Sequence, residues 1–193
     1  VDYGRYNEET LSKEDIEAGS ALFCCASPLS DLVIECHEIS ATKDIEIKTL
    51  PCRVEKLKLV APDVMVIYLR LPANQRLQFL AGQYIDILLK DGKRRSFSIA
   101  NAPHDDEFLQ LHARNYPGGV FTEHVFTTMK VKDMLRFRGP LGSFFLRDTP
   151  EGVPIIFLAS GTGFAPIKSI LEHVFFQEKK RGSKQKIILY WGA

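Results

Sequence analysis

Two short segments carry residue types that could hold a nucleotide and move charge. The first is Ser160-Gly161-Thr162-Gly163-Phe164-Ala165-Pro166. Its glycines let the backbone approach a phosphate, and a helix starting there offers free N–H groups and a partial positive charge. Pro166 suits the first helical turn, where its missing N–H costs nothing. The second is Arg95-Ser96-Phe97-Ser98. Arg95 brings a cation for phosphate, Phe97 a flat apolar surface for a ring, and Ser98 a hydroxyl for a reactive ring atom. Together the two segments imply a flavin that exchanges hydride with a nicotinamide nucleotide.

Each segment has a plainer reading. A G-x-G is weak evidence outside a strand–turn–helix context. Arg95 to Ser98 also suits a barrel strand with a surface arginine. Strand alternation puts Phe97 on one face and Ser96 and Ser98 on the other, so one role needs local twist or backbone contact. Gly118-Gly119-Val120-Phe121-Thr122 makes another anion site, with a hydroxyl in the first turn of a helix. Taken alone, it is a loop opening a helix.

The elements that must position these residues follow from the pattern. Pro154 to Ala159 reads as a buried strand, Ile167 to Lys180 as a helix and Ile187 to Ala193 as a second buried strand. Residues 151–193 are therefore the opening βαβ unit of a doubly wound sheet. Residues 47–150 read as all-β. Arg53 to Val60 and Val64 to Leu71 flank the turn Ala61-Pro62-Asp63, and Gly82 to Lys90 and Arg94 to Ala100 flank Asp91-Gly92. Phe108 to Arg114 and Met134 to Phe137 add two strands, and Val120 to Thr128 reads as a short helix. Six short strands and one helix suggest a small closed antiparallel barrel. Residues 1–46 form a front block. In it Ser12-Lys13-Glu14-Asp15 resembles a capping box, Gly19 could close the helix, and Leu29 to Cys36 reads as a strand.

Composition sets outer bounds. The 193 residues, 45% hydrophobic, suit one or two compact domains. A net charge of +1 argues against nucleic-acid or membrane-surface binding through bulk charge. No apolar run reaches the roughly 18 residues of a membrane span, and the first residues are polar, so the expected location is cytoplasmic. The start at Val1 and the finish on a strand suggest a chain cut at both ends. Cys25, Cys36 and Cys52 are expected to be ordinary buried residues. His37, His104, His112, His124 and His173 lack metal-ligand spacing. Ile167, Ile170, Leu171, Val174 and Phe175 form an apolar stripe at helical spacing, and Lys179-Lys180-Arg181 reads as a solvated helix end.

The order of the motifs is more specific than any one of them. Arg95-Ser96-Phe97-Ser98, Gly119-x-x-Thr122, Gly139-Pro140-Leu141-Gly142 and Gly161-x-Gly163-x-x-Pro166 together resemble the ferredoxin–NADP reductase superfamily over residues 50–193. The resemblance implies an antiparallel six-stranded FAD-binding barrel followed by a Rossmann-like parallel α/β domain for NADH or NADPH. It implies that Arg95 contacts the flavin pyrophosphate, Phe97 stacks on the isoalloxazine and Ser98 approaches N5. Gly119 and Thr122 would hold the pyrophosphate, and Gly118 and Val120 beside them would also bind the cofactor. The segment from His112 through Arg114 to Tyr116 would border the flavin and adenosine, and Gly161, Thr162, Gly163 and Pro166 would receive the nicotinamide nucleotide. Ser96 belongs to the same cofactor-binding strand.

Gly19 to Asp31 is similar to the end of a plant-type [2Fe–2S] ferredoxin domain, with Cys24 at the fourth ligand position. The other three ligands are absent, so a cluster is expected only in a longer parent protein. Within the superfamily, the segments around Arg95 and Gly119 are most similar to the CDP-6-deoxy-Δ3,4-glucoseen reductase subfamily, which passes electrons to a deoxysugar dehydrase. Related reductases serve oxygenases. A free flavin reductase and a flavin-binding fragment without catalysis stay open as alternatives. The choice of NADH or NADPH, the electron acceptor and the oligomeric state are not legible.

Overall fold

The computed structural model describes residues 1–33, 44–147, 149, 152–182 and 184–192. They fall into two units, Val1–Ile39 and Ser40–Ala193.

In the first unit, helix α1 spans Lys13–Glu17. Ser12 caps it as expected: its Oγ accepts from the Asp15 N–H at 3.1 Å, and the Asp15 carboxylate accepts from the Ser12 N–H at 3.0 Å. Gly19, with φ +86°, closes it. The Gly19 N–H donates to Ile16 O and the Ser20 N–H to Asp15 O, the paired bonds of a glycine-terminated helix. The strand expected over Leu29 to Cys36 does not form in its described part. Residues 29–33 have no strand pairing, and Leu29, Leu32 and Val33 are exposed, so no buried face holds a strand there. Residues 34–36 lie outside the described residues.

In the second unit, β1 (Lys48–Ala61), β2 (Val64–Arg70), β3 (Tyr84–Leu88), β4 (Arg94–Ser98), β5 (Leu109–Arg114) and β6 (Met134–Leu141) form one antiparallel sheet in the order β4-β3-β6-β1-β2-β5. Ile99, directly after β4, bridges Leu111 of β5, so the two edges meet as in a barrel. Period-two burial builds the interior. Leu50, Cys52 and Val54 point in from β1, Ile67 and Leu69 from β2, Ile85 and Ile87 from β3, and Leu109, Leu111 and Ala113 from β5. Helix α2 (Val120–Thr127) sets Phe121 and Val125 into the same core.

Two strands run further than the sequence pattern suggests. β1 starts before Pro51, which pairs with Arg136. β6 continues through Gly139 and the cis Pro140 to Leu141. Gly139 is there for space: a Cβ would stand 2.7 Å from Ile85 Cγ2.

The chain then forms β7 (Ile155–Ser160), a 3₁₀ turn at Gly161–Gly163, helix α3 (Phe164–Arg181) and β8 (Ile187–Gly192). β7 and β8 pair in parallel, the start of the expected α/β layer. Ile167, Ile170 and Val174 are buried with Phe157 and Ala81. Phe175 is not part of that core; it is 56% exposed. At 3.6 residues per turn it lies about 80° round the helix from Ile167, at the margin of the stripe.

Side chains of α3 lock this layer onto the barrel. Ser169 Oγ donates to Asn101 O at 2.7 Å, and Ser169 is fully buried. Lys168 Nζ donates to Ala100 O and Gln110 Oε1, both at 3.1 Å, and pairs with Glu172 at 2.6 Å. Asn101 is itself held by Asp105 O and the Gln110 N–H.

Candidate functional site

A cleft of about 320 Å³ opens where the barrel meets the glycine turn. β4 contributes Ser96, Phe97 and Ser98, β5 contributes His112 and Arg114, and the turn and helix start contribute Thr162, Gly163 and Ala165. Three consecutive residues of β4 border it.

Each side chain is set by its neighbours. Phe97 packs against Phe121 with ring centroids 5.3 Å apart and an angle of 56°, which fixes the ring between barrel core and cleft. Ser96 Oγ donates to Asp86 Oδ1 at 2.7 Å, so this hydroxyl satisfies a buried carboxylate of the barrel. Ser98 pairs with Tyr84 across the ladder. His112 is held neutral: burial first, then the Lys168 ammonium, push its pKa down from 6.5 to about 4, against a smaller opposing pull from Glu172. Arg114 Nε donates to Asp63 Oδ2 at 2.8 Å. Its Nη1 stands 3.3 Å from where a Cβ on Gly161 would be, beside the glycine turn.

The second glycine pair sits at the start of α2. Gly118 has φ +76° and Gly119 is the N-cap, with no side-chain cap on the helix. A Cβ on Gly119 would stand 2.4 Å from Thr122 Oγ1 and 3.0 Å from Tyr116 O. Thr122 Oγ1 donates to Gly119 O at 3.0 Å. Tyr116 and Val120 are exposed. Helix α3 likewise starts on a glycine, Gly163, with no side-chain cap. The start of α2 thus keeps N–H groups for an anion, whereas at α3 the Phe164 N–H is taken by Gly161 O and Pro166 has none.

The residues singled out from the sequence do not all border one space. Arg95, Tyr116, Gly118, Gly119, Val120, Thr122, Gly161 and Pro166 are not among those lining the 320 Å³ cleft. Arg95 Nη1 donates to Arg94 O at 2.8 Å. Val120 and Phe121 border a larger cavity of about 830 Å³, between the β3–β4 hairpin, α2 and β6. Sequence reasoning missed Ala165, although it lies inside the glycine motif. It also missed Lys168 and Trp191, whose contacts are tertiary. The Trp191 indole N–H donates to Gly161 O at 3.0 Å, and its ring stacks on Phe164.

An FAD and a nicotinamide nucleotide fit these residues on chemical grounds. There are two uncapped glycine-led helix starts, one of them with no room for a Cβ at Gly119. There is an arginine beside the glycine turn, and a cleft with an aromatic ring and hydroxyls. An iron–sulfur cluster does not fit the described residues. Cys24 is exposed with one thiol nearby, Cys25 at 3.5 Å, and among the described residues no three His, Cys, Asp or Glu side chains gather to hold a metal. Cys25 is part-exposed rather than buried, because it shares the surface with Cys24; that neighbour's hydrogen bond raises its pKa. Cys52 is buried, and burial pushes its thiol up to about 12. Cys36 lies outside the described residues. Among the described residues no helix is long and apolar enough to cross a membrane.

Residues 51–146 match the oxidoreductase FAD-binding domain family, and residues 157–193 match the oxidoreductase NAD-binding domain family. The chain is 39% identical over 182 residues to CDP-6-deoxy-L-threo-D-glycero-4-hexulose-3-dehydrase reductase of Yersinia pseudotuberculosis, covering 94% of this chain and 53% of that protein. It is 38% identical to the terephthalate 1,2-dioxygenase reductase component 1 of Comamonas sp., covering 97% of this chain and 54% of that protein. Among solved structures, the Amycolatopsis cytochrome P450 reductase GcoB superposes with a TM-score of 0.69 at 32% identity, over 99% of this chain and 57% of that one. The chain spans about half the length of the curated relatives it matches.

Proposed function

The chain belongs to the oxidoreductases with ferredoxin reductase-type FAD- and NAD-binding domains, and from that membership we propose that it takes electrons from NADH or NADPH at the glycine turn and delivers them through barrel-bound FAD to a partner protein. We assign FAD binding to residues 47–150, nucleotide binding to residues 151–193, and residues 1–46 to the end of a ferredoxin-type domain.

One observation carries this reading. Ser98 and Phe97 of the barrel border the same cleft as Thr162 and Gly163 of the α/β layer. When bound, FAD supplies the step from a two-electron donor to one-electron acceptors. The chain's own residues bind, orient and exclude water. Arg95 would pair with the FAD phosphates, and Gly118, Gly119, Val120 and Thr122 would receive them at the start of α2. Phe97 would bear on the ring, with His112 and Tyr116 bordering it, and Ser98 would offer its hydroxyl to a ring nitrogen. Gly161, Thr162, Gly163 and Pro166 would receive the nicotinamide nucleotide, with Arg114 beside them. The Lys168 and Ser169 bonds to Ala100 and Asn101 keep the two walls of the cleft at one spacing, and that spacing governs transfer between stacked rings.

For the partner we favour a dehydrase of deoxysugar synthesis, on the strength of the dehydrase-reductase relative. An oxygenase is the second reading, supported by the dioxygenase-reductase relative. In the whole protein we keep Cys24 as one ligand of a [2Fe–2S] cluster; no step here runs through it. A cytoplasmic setting goes with this role. The test is to load the protein with FAD, add NADH or NADPH without oxygen, and follow the flavin absorbance. Bleaching is expected. A bound flavin that stays oxidised with both nucleotides leaves only a flavin-binding fragment.

A further inference from the structure

We infer that Trp191 is a positioning residue for the nicotinamide nucleotide: its indole N–H anchors the Gly161 carbonyl and so sets the shape of the glycine turn that forms one wall of the cleft. The inference rests on the proposed reading of that turn as the nucleotide's site.

The parallel register of β7 and β8 puts Trp191 beside Ala159 and Gly192 beside Ser160, at the strand end from which the turn departs. From there Trp191 Nε1 donates to Gly161 O at 3.0 Å. The Phe164 ring lies against the indole with centroids 4.3 Å apart and planes 17° from parallel. Gly161 O also accepts from the Phe164 N–H, so one carbonyl takes two donors, and both belong to the stacked pair. Gly161 has φ +49°, a conformation that side-chain-bearing residues rarely adopt. On the barrel side Arg114 Nη1 closes in to 3.3 Å of the missing Cβ. The Gly161 peptide is therefore held from β8, with Arg114 of β5 close beside it.

The residues that follow it are the ones that matter chemically. Thr162 and Gly163 border the cleft opposite Ser98 and His112. Gly161 and Gly163 belong to one 3₁₀ turn, so a shift of the Gly161 peptide carries Gly163 with it. Trp191 makes two contacts with this turn. Its hydrogen bond and its stack on Phe164 fix its orientation. A turn displaced by about 1 Å would lower a transfer rate by as much as about a hundredfold.

The test compares FAD-loaded wild type with Trp191→Phe, which keeps an aromatic ring on Phe164 and loses the donor, and with Phe164→Leu, which keeps the donor and loses the stack. Three quantities are read: amide hydrogen exchange across residues 160–164, equilibrium binding of NAD⁺ and NADP⁺, and the rate of flavin reduction. Trp191→Phe is expected to retain its FAD, to exchange faster in the turn, and to bind the preferred nucleotide about fivefold more weakly, the worth of one ordinary hydrogen bond. Phe164→Leu, which keeps the donor but loosens the indole, is expected to weaken binding less than Trp191→Phe does. If Trp191→Phe exchanges and binds as wild type does, the positioning role is wrong while the proposed function stands. If wild type itself binds neither nucleotide, the functional reading falls and this inference with it.

Discussion

Phe97 of β4 and Gly163 at the start of α3 border one cleft, although the first belongs to the antiparallel barrel and the second to the parallel layer. Polar bonds join the two layers, the first of them buried: Ser169 on Asn101 O, and Lys168 on Ala100 O and Gln110. Asn101 closely follows Phe97 in the chain, and Ser169 closely follows Gly163. The bonds that join the layers are therefore made by the same two stretches that line the cleft.

Gly163→Ala separates binding from folding. Gly163 has φ −59°, and its Cβ would meet nothing within 4 Å, so the fold accepts alanine. The new methyl group enters space assigned to the nucleotide. Affinity for NAD⁺ or NADP⁺ should fall about tenfold with FAD content unchanged, and the melting temperature should stay within about 2 °C of wild type. Calorimetric titration beside a thermal melt checks both.

Gly119→Ala acts on the other cofactor. Its Cβ would stand 2.4 Å from Thr122 Oγ1 and 3.0 Å from the backbone Tyr116 O. The hydroxyl can turn away, but the carbonyl can yield only if the loop moves. FAD affinity should drop tenfold or more, by roughly 1.4 kcal/mol. Fluorescence titration of the apoprotein with FAD is the measurement, and an unchanged dissociation constant would remove Gly119 from the site.

Gly82→Ala tests the seam between the layers. Gly82 has φ +102°, and a Cβ there would lie 2.2 Å from Phe144 O and 2.9 Å from Ile170 Cδ1. Both the backbone strain and the clash oppose alanine. A loss of about 3 kcal/mol is expected, read as a fall of roughly 10 °C in Tm.

His112 gives a pH signature. Its pKa is lowered from 6.5 to about 4, so between those values the unfolded chain binds a proton that the folded chain refuses. This site's contribution therefore makes stability fall as pH drops from about 6.5 to 4, with no effect above 6.5. Urea midpoints across that window should decline less steeply in His112→Gln than in wild type. NMR titration should place the wild-type imidazole near 4. In Lys168→Met its pKa should be higher, because a cation that disfavours the charged imidazole is gone.

Much of the architecture was legible because its signals are local. Turn residues such as Asp91-Gly92 and period-two apolar runs located the strands, and the glycine motif located the start of α3. Where the reading fell short, a tertiary effect decided. Pro51 and Gly139-Pro140 look like strand breaks, yet they lie inside β1 and β6, where Gly139 makes room for Ile85. Leu29 to Val33 read as part of a strand but find no partner in the described residues. Phe175 keeps helical spacing but sits past the edge of the buried stripe. In the site, the residue types at 95–98 and 161–163 stand out in the sequence, and of these Ser96, Phe97, Ser98, Thr162 and Gly163 border one cleft. Lys168 on Ala100 and Trp191 on Gly161 do not stand out, because such contacts across distant segments leave no trace in local spacing.

The central claim is that barrel and glycine turn bring a flavin and a reduced nicotinamide together. The most direct measurement is anaerobic stopped-flow absorbance of the FAD-loaded protein mixed with NADH, and separately with NADPH. The account predicts rapid loss of the oxidised flavin band with at least one nucleotide, slowed in Gly163→Ala. A flavin that remains oxidised with both, or a protein that retains no FAD, would contradict it.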